Sequence, residues 1–225
     1  MFTGGEYVDL FRPEDRHNPF RHLYAAKRDA VVEIVGRLPA GRVLDLGGGP
    51  GRMAVPLAQH HHVTLADISE EMLELARRTA AAAGIQPSAL QTVRLDAGAA
   101  LPFGDRSFDA AIAVDLICHL PDPTATLREL SRVVAPGGLI LAEASNRNAL
   151  WMLRYPTYVG RRPARWLQTW RAGGVLPEWA ATVTHHSHRE FQGMLADAGL
   201  RVVEERTFGP SLAPKHFLAV CRTDP

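Results

Sequence analysis

Apolar and polar positions follow two different periods along most of this chain. From Phe20 to Leu38, apolar side chains recur at helical spacing (Leu23, Ala26, Ala30, Val31, Ile34, Val35, Leu38), and Pro39 stops the run. Arg42 to Leu46 is a short apolar stretch that ends in glycines, as a strand ends in a turn. Arg52 to Gln59 carries a helical pattern that Pro56 shortens. Val63 to Ala66 reads as a second strand, and Ser69 caps a helix that carries Met72, Leu75 and Ala76 and closes at Gly84. Val93 to Leu95 is the core of a third strand. Phe108 to Val114 is almost continuously apolar, as a strand covered on both faces must be. Thr124 to Val134 is helical up to Pro136-Gly137-Gly138, and Leu139 to Ala142 is a fifth strand. A helix over Arg189 to Ala198, ended by Gly199, precedes two last strands, Arg201 to Glu205 and Phe217 to Cys221. Strands and helices alternating at these lengths predict an α/β fold with a doubly wound, mostly parallel sheet of seven strands.

Between Ser145 and His186 the pattern breaks. All four tryptophans (151, 166, 170, 179) fall there with Tyr155 and Tyr158, and six arginines but no acidic residue lie between Arg147 and Arg171. A connection this long in a compact domain is usually functional or disordered, and its aromatic content argues against disorder. The expected division is an N-terminal helical cover over 1–40, a core over 41–144 and 188–225, and a cap over 145–187. Three uses of the cap compete: closing over a flat acceptor, a basic aromatic surface for RNA or membrane, and a homodimer interface.

At 225 residues the chain can bury one sizeable core. Its net charge of +1 argues against a whole-protein field for gripping nucleic acid. Cys118 and Cys221 are too few and too far apart for a disulfide framework or a zinc site. Met1 to Asp15 carries four acidic residues and no apolar signal segment, and no run is long enough to span a membrane, so the expected compartment is the cytoplasm.

The most informative segment is Val43-Leu44-Asp45-Leu46-Gly47-Gly48-Gly49-Pro50-Gly51-Arg52. A strand runs into glycines and then a helix, the context of a nucleotide-type ligand, and Gly47, Gly49 and Gly51 let a backbone approach it closely. Asp67 ends the next strand, 20 residues after Gly47, an offset that suits a carboxylate accepting from ribose hydroxyls. Gly49 to Ala54 also satisfies the permissive dinucleotide pattern, so a nicotinamide-dependent oxidoreductase is a rival. Asp45 argues against it: a carboxylate before the loop repels a pyrophosphate and favours a cationic ligand. The bland alternative is that Asp45 caps backbone amides of the turn.

Val43 to Gly51 resembles the first motif of class I S-adenosylmethionine-dependent methyltransferases. Leu65-Ala66-Asp67-Ile68-Ser69 with Met72-Leu73 resembles their acidic second motif. Leu101 to Asp109 is similar to the segment before the fourth strand in ubiquinone/menaquinone-type members, and Val133 to Gly138 resembles the turn into their fifth. The likeness covers roughly residues 20–145. It implies the Rossmann-like methyltransferase fold with an antiparallel last strand, and S-adenosylmethionine as cofactor. By the same resemblance Gly47, Gly49 and Gly51 lie against the methionine part and Asp67 holds the ribose. Ile68 and Met72 pack on the adenine, Asp96 and Ala97 meet its edge, and Asp115 and Leu116 border the methyl group. Plain core packing for Met72 and a turn role for Asp96 compete with these assignments.

Methyl transfer from a sulfonium asks mainly for alignment and exclusion of water, with a base where the acceptor is a hydroxyl. His119, after the fourth strand at the carboxyl edge of the sheet, is the candidate catalytic residue, against a purely structural role. His185, His186 and His188 have no acidic or cysteine partners nearby in sequence, so no metal is expected and pocket lining or helix-start bonding is favoured. His60 to His62 are expected to be solvated. Tyr24 and Arg28 are set between the cofactor carboxylate and surface packing. The expected function is methylation of a small acceptor, aromatic and a secondary metabolite by preference. A non-catalytic nucleotide-fold protein and an RNA-directed methyltransferase are the alternatives.

Overall fold

In a computed structural model, residues 21–148, 184–209 and 214–223 are described. The N-terminal cover before Arg21 and the aromatic cap over 149–183 lie outside them.

The elements are α1 (Arg21–Val35), β1 (Arg42–Leu46), α2 (Ala54–Leu57), β2 (His62–Asp67), α3 (Glu70–Ala82), β3 (Leu90–Arg94), β4 (Phe108–Ala113), a 3-10 turn (Ile117–His119), α4 (Pro123–Val133), β5 (Val134–Ser145), α5 (His188–Asp197), β6 (Arg201–Phe208) and β7 (His216–Arg222). The seven strands form one sheet in the order β3-β2-β1-β4-β5-β7-β6. Pairings from β3 through β5 are parallel, and β7 runs antiparallel to both neighbours. This is the expected doubly wound α/β sheet with an antiparallel last strand.

Alternate side chains of each central strand feed two cores. Val43, Leu65, Ala110, Ile112 and Leu141 face α1, α2 and α3, where Val31, Ile34, Leu73 and Ala76 meet them. Leu44, Leu46, Ala111, Ile140 and Ala219 face α4 and α5, where Leu127, Leu130, Phe191 and Leu195 pack. Period-2 alternation under helices on both faces is what a buried parallel sheet demands.

Three expectations need correction. The third strand spans Leu90–Arg94, ahead of Val93–Leu95, because its half-buried edge position relaxes the apolar pattern. The fifth strand begins at Val134, where α4 ends: Phe108 pairs with Val134, and a register shift absorbs Pro136 and the glycines before Ala110 meets Leu139. In α1, Ala26 is exposed and Lys27 is buried in its place on the apolar side. Leu23, Lys27, Val31 and Ile34 share one face at i, i+3/i+4 spacing, so the helix carries an ammonium into the protein.

Candidate active site

The turn after β1 follows from backbone geometry. Gly47 has φ +69°, and a side chain there would lie 2.8 Å from Leu116 Cδ1. Only glycine accepts both constraints at little cost. The Gly47 amide donates to Ala66 O (2.7 Å), which ties the turn to the end of β2. There Asp67 accepts from the Gly49 amide through Oδ2 and the Ser69 amide through Oδ1, both at 2.9 Å. Ser69 in turn caps α3, its Oγ accepting from the Met72 amide at 3.4 Å. The acidic side chain is thereby fixed against the glycine turn before any ligand arrives. Burial raises the Asp67 carboxyl above its ordinary value, and these amide bonds and His119 only partly offset it.

Around this turn opens a cleft that faces solvent on one side. It gathers Gly47, Gly49, Asp67, Ile68, Met72, Asp115, Leu116 and His119 from three separate stretches of sequence, all of them expected there. Gly48, Pro50, Arg52 and Ser69 line it as well and were not singled out by the sequence. Ile68 is 58% exposed, an apolar surface waiting for a partner at the mouth of the cleft.

Four expected contacts lie elsewhere. Asp45 is 2% exposed and is not among the lining residues; it sits so close beneath Gly48 that a side chain there would come within 2.7 Å of its Oδ2. That oxygen has no hydrogen-bond partner, and burial pushes the carboxyl up to about 7. Gly51 is buried against Val55 and Ala76, outside the cleft. Asp96 accepts from the Gly98 amide (2.8 Å), and the Ala97 carbonyl accepts from Thr126 Oγ1 (2.9 Å); neither residue lines the cleft. The Gly98 contact is the turn bond weighed for Asp96.

Beside the cleft lies a buried ionic cluster. Lys27, 1% exposed, reaches from α1 to Asp115 Oδ1 (2.5 Å), Glu143 Oε1 (3.2 Å) and His216 Nδ1 (3.1 Å). Arg52 takes Asp115 Oδ2 at 3.0 Å and lies over the Tyr24 ring, 4.4 Å from its centroid. Glu143 also accepts from the Asp115 amide through Oε2 (2.9 Å), which holds Asp115 in a left-handed backbone conformation (φ +58°). A non-glycine residue there is uncommon and persists only where its surroundings fix it. Burial alone would raise the Asp115 carboxyl, but Lys27 and Arg52 outweigh it and hold it well below the ordinary carboxylate range. Arg28 pairs instead with Asp29 at the surface.

Asp115, Glu143 and His216 offer ligand atoms within 4.8 Å of one another, the spacing of a metal site. The Lys27 ammonium already stands among all three, so the cationic position is filled by the chain itself.

His119 lines the cleft with its Nδ1 buried and without a hydrogen-bond partner. Burial lowers its pKa against the pull of Asp115, Glu143 and Asp67, so the ring is neutral near pH 7. His186 pairs with Asn146 in an isolated bridge, and the Thr184 amide donates to Cys118 O (2.7 Å), which pins this segment to the turn after β4. His188 pairs with Glu205 (2.8 Å) at the surface. His61 is buried, contrary to the expectation of a solvated triplet, because its Nδ1 accepts from the Gly41 amide at 3.3 Å.

Lys27, Glu143 and His216 were missed in the sequence. Their signals were faint but present: a lysine four residues from Leu23 and Val31, and an acid inside the apolar run Leu139 to Ala144.

Residues 43–138 match the model of a methyltransferase domain family. An O-methyltransferase of Pyrenophora dematioidea is 34% identical over 129 residues, 55% of this chain and 48% of that protein. A ubiquinone biosynthesis O-methyltransferase of Klebsiella pneumoniae is 32% identical over 145 residues, 64% of this chain and 56% of that protein. The chain thus spans about half the length of the curated relatives it matches. Among solved structures, the magnesium protoporphyrin IX methyltransferase of Synechocystis with bound S-adenosylhomocysteine shares the fold, with TM-score 0.71, 19% identity and coverage of 96% of this chain and 92% of that one. Motif order, sheet topology and the domain match over residues 43–138 agree in likening this chain to the class I S-adenosylmethionine-dependent methyltransferases.

Proposed function

We propose that this protein transfers the methyl group of S-adenosylmethionine to a small-molecule acceptor. The observation that carries this reading is the cleft itself: a glycine turn whose amide at Gly49 is tied to Asp67, with Ile68 and Met72 at one end and Asp115 at the other. A diphosphate is a poor fit, because two carboxylates face the space and one of them is held ionised. Asp67 is positioned for ribose hydroxyls, Ile68 and Met72 for the adenine face, and the turn with Asp115 and Arg52 for the amino-acid tail. When bound, the donor supplies a methyl group on a positively charged sulfur. The chain's own task is to hold the acceptor in line and exclude water.

Relatives named for O-methylation, one of them in ubiquinone biosynthesis, support an oxygen acceptor. The RNA-directed alternative rests on the basic aromatic segment outside the described residues. Calorimetric titration with S-adenosylhomocysteine and with NADH tests the reading: saturable binding of the first and none of the second is expected. Binding of NADH alone overturns it. Salt-dependent capture of polynucleotide, with affinity falling by orders of magnitude over a modest salt range, replaces the small acceptor with RNA.

A further inference from the structure

The ionic cluster beside the cleft contains a pair that donor binding does not use. His216 opens β7 and pairs in register with Ser145, the last residue of β5. It therefore stands at the carboxyl edge of the sheet, where Asp115 follows β4 and lines the cleft; His216 is not itself a lining residue, but a ring nitrogen lies within 4.8 Å of an Asp115 carboxylate oxygen. Its Nδ1 makes a short hydrogen bond to Oε1 of Glu143, a residue 1% exposed.

The protonation of that bond follows from the neighbours. Burial would push the Glu143 carboxyl up, but Lys27 and His216 outweigh it and lower it. An ionised carboxylate only accepts hydrogen bonds, so the hydrogen of the short contact belongs to Nδ1. Among the described residues Nε2 has no hydrogen-bond partner, and the side chain retains 11% of its exposure. The groups facing the ring are Lys27 from α1, Asp115 after β4, Glu143 and Ser145 from β5, and His185 from the segment before α5. Burial first, then the positive field of its neighbours, pushes His185 down to about 4, so it adds no second cation beside His216 near neutrality.

Resting on the methyl-transfer reading above, we propose that Glu143 and His216 form a carboxylate–imidazole dyad whose Nε2 takes the proton of an acceptor hydroxyl. Glu143 fixes the tautomer and compensates the charge that forms, as an oriented carboxylate does for a catalytic imidazole. Lys27 is a positioning residue: it holds Glu143 and Asp115 ionised at once and so keeps the dyad beside the cleft wall. The step balances. The acceptor oxygen forms a bond to the methyl carbon, the carbon–sulfur bond breaks with its electron pair left on sulfur, and the hydroxyl proton ends on Nε2. One positive charge is lost from sulfur and one appears on the imidazolium. His119 lacks this arrangement, since its buried Nδ1 has no carboxylate to orient it.

Two measurements test the dyad. Long-range proton–nitrogen spectra of the protein bound to S-adenosylhomocysteine at pH 8 are expected to show His216 as the Nδ1–H tautomer, and Glu143→Gln to mix the tautomers. An Nε2–H tautomer in the unaltered protein overturns the proposal. Methyl transfer is then followed to catechol, 3,4-dihydroxybenzoate and 4-hydroxybenzoate, with tryptamine as the amine control. His216→Asn is expected to lower kcat on a phenol by roughly 10²–10⁴-fold, with S-adenosylhomocysteine affinity kept. Retention of kcat within about tenfold, or transfer to the amine and to no phenol, overturns the dyad while the methyltransferase reading stands. Failure of the unaltered protein to bind S-adenosylhomocysteine removes both.

Discussion

Asp45 and Asp115 lie near the carboxyl ends of the neighbouring strands β1 and β4, and their carboxyl groups are driven in opposite directions. Asp45 is pushed up to about 7 because burial dominates, with Arg52 and the Ala54 amide offsetting too little and Asp67 adding to the rise. Asp115 is less enclosed, its side chain 20% exposed at the cleft, and Lys27 and Arg52 hold it well below the ordinary range against the burial that remains. The residue type and the sheet edge are the same; the supply of cations differs. Lys27 comes from a helix 88 residues earlier in the chain. The permanent negative charge beside the donor therefore sits on the β4 side of the cleft, whereas the acid in the glycine motif works from beneath the turn.

Removing the cation should break this contrast most severely. Lys27→Met keeps much of the side-chain volume but leaves Asp115 and Glu143 facing each other in a buried space. Breaking a buried pair by deleting one partner costs about 3–5 kcal/mol, and denaturant unfolding at pH 7 should show a loss of that order. A change below about 1 kcal/mol means that the cluster is wetter and weaker than its geometry states.

The pH dependence of Asp45 sharpens the other half. An unfolded chain sheds this proton near its ordinary value of 3.8, whereas the folded protein keeps it until about 7. The unfolded state binds fewer protons across that window, so this group's contribution to stability falls as pH rises from 4 to 7. Asp45→Asn cannot ionise. Its stability relative to the unaltered protein should therefore improve between pH 4 and 8, by about 2–4 kcal/mol. A difference that stays flat with pH would show that Asp45 ionises freely.

The glycine side of the comparison was legible in the sequence and the ionic side was not, and the reason is physical. Gly47, Asp67, Ile68 and Met72 sit in contiguous stretches whose spacing is fixed by one strand–turn–helix unit, so a local pattern exposes them. The doubly wound, mostly parallel seven-stranded sheet and its antiparallel last strand followed from element sequence and family likeness in the same way. Lys27, Glu143 and His216 meet only because α1, β5 and β7 converge at one edge of the sheet. A lysine on an apolar helical face reads locally as a flaw in the pattern, and its partners cannot be named before the topology is known. Asp96 and Ala97, carried over from the family likeness, do not line the cleft; Asp96 Oδ1 accepts from the Gly98 amide and the Ala97 carbonyl from Thr126.

Donor affinity offers a smaller break. Asp67→Ala removes the acceptor that ties Gly49 and Ser69 together and the charged partner expected for the ribose. Hydrogen bonds to charged groups contribute about 1.5–3 kcal/mol, so S-adenosylhomocysteine affinity should fall by roughly 10- to 150-fold at constant salt. Unchanged affinity would move the nucleoside away from this side of the cleft.

The smallest effect belongs to Ser69, and it separates fold support from ligand contact on the glycine side. Its Oγ caps α3 through the Met72 amide, at a long 3.4 Å, while its own amide donates to Asp67. Ser69→Ala deletes the cap and leaves the amide bond intact. N-cap losses cost about 0.5–2 kcal/mol, and the long contact places this one at the lower end, readable as a modest drop in unfolding midpoint. Because Asp67 keeps its backbone partners, donor affinity should change by less than about threefold, under 0.7 kcal/mol. A larger loss of affinity would mean that the hydroxyl itself touches the ligand, since Met72 moves only if the first turn of α3 frays.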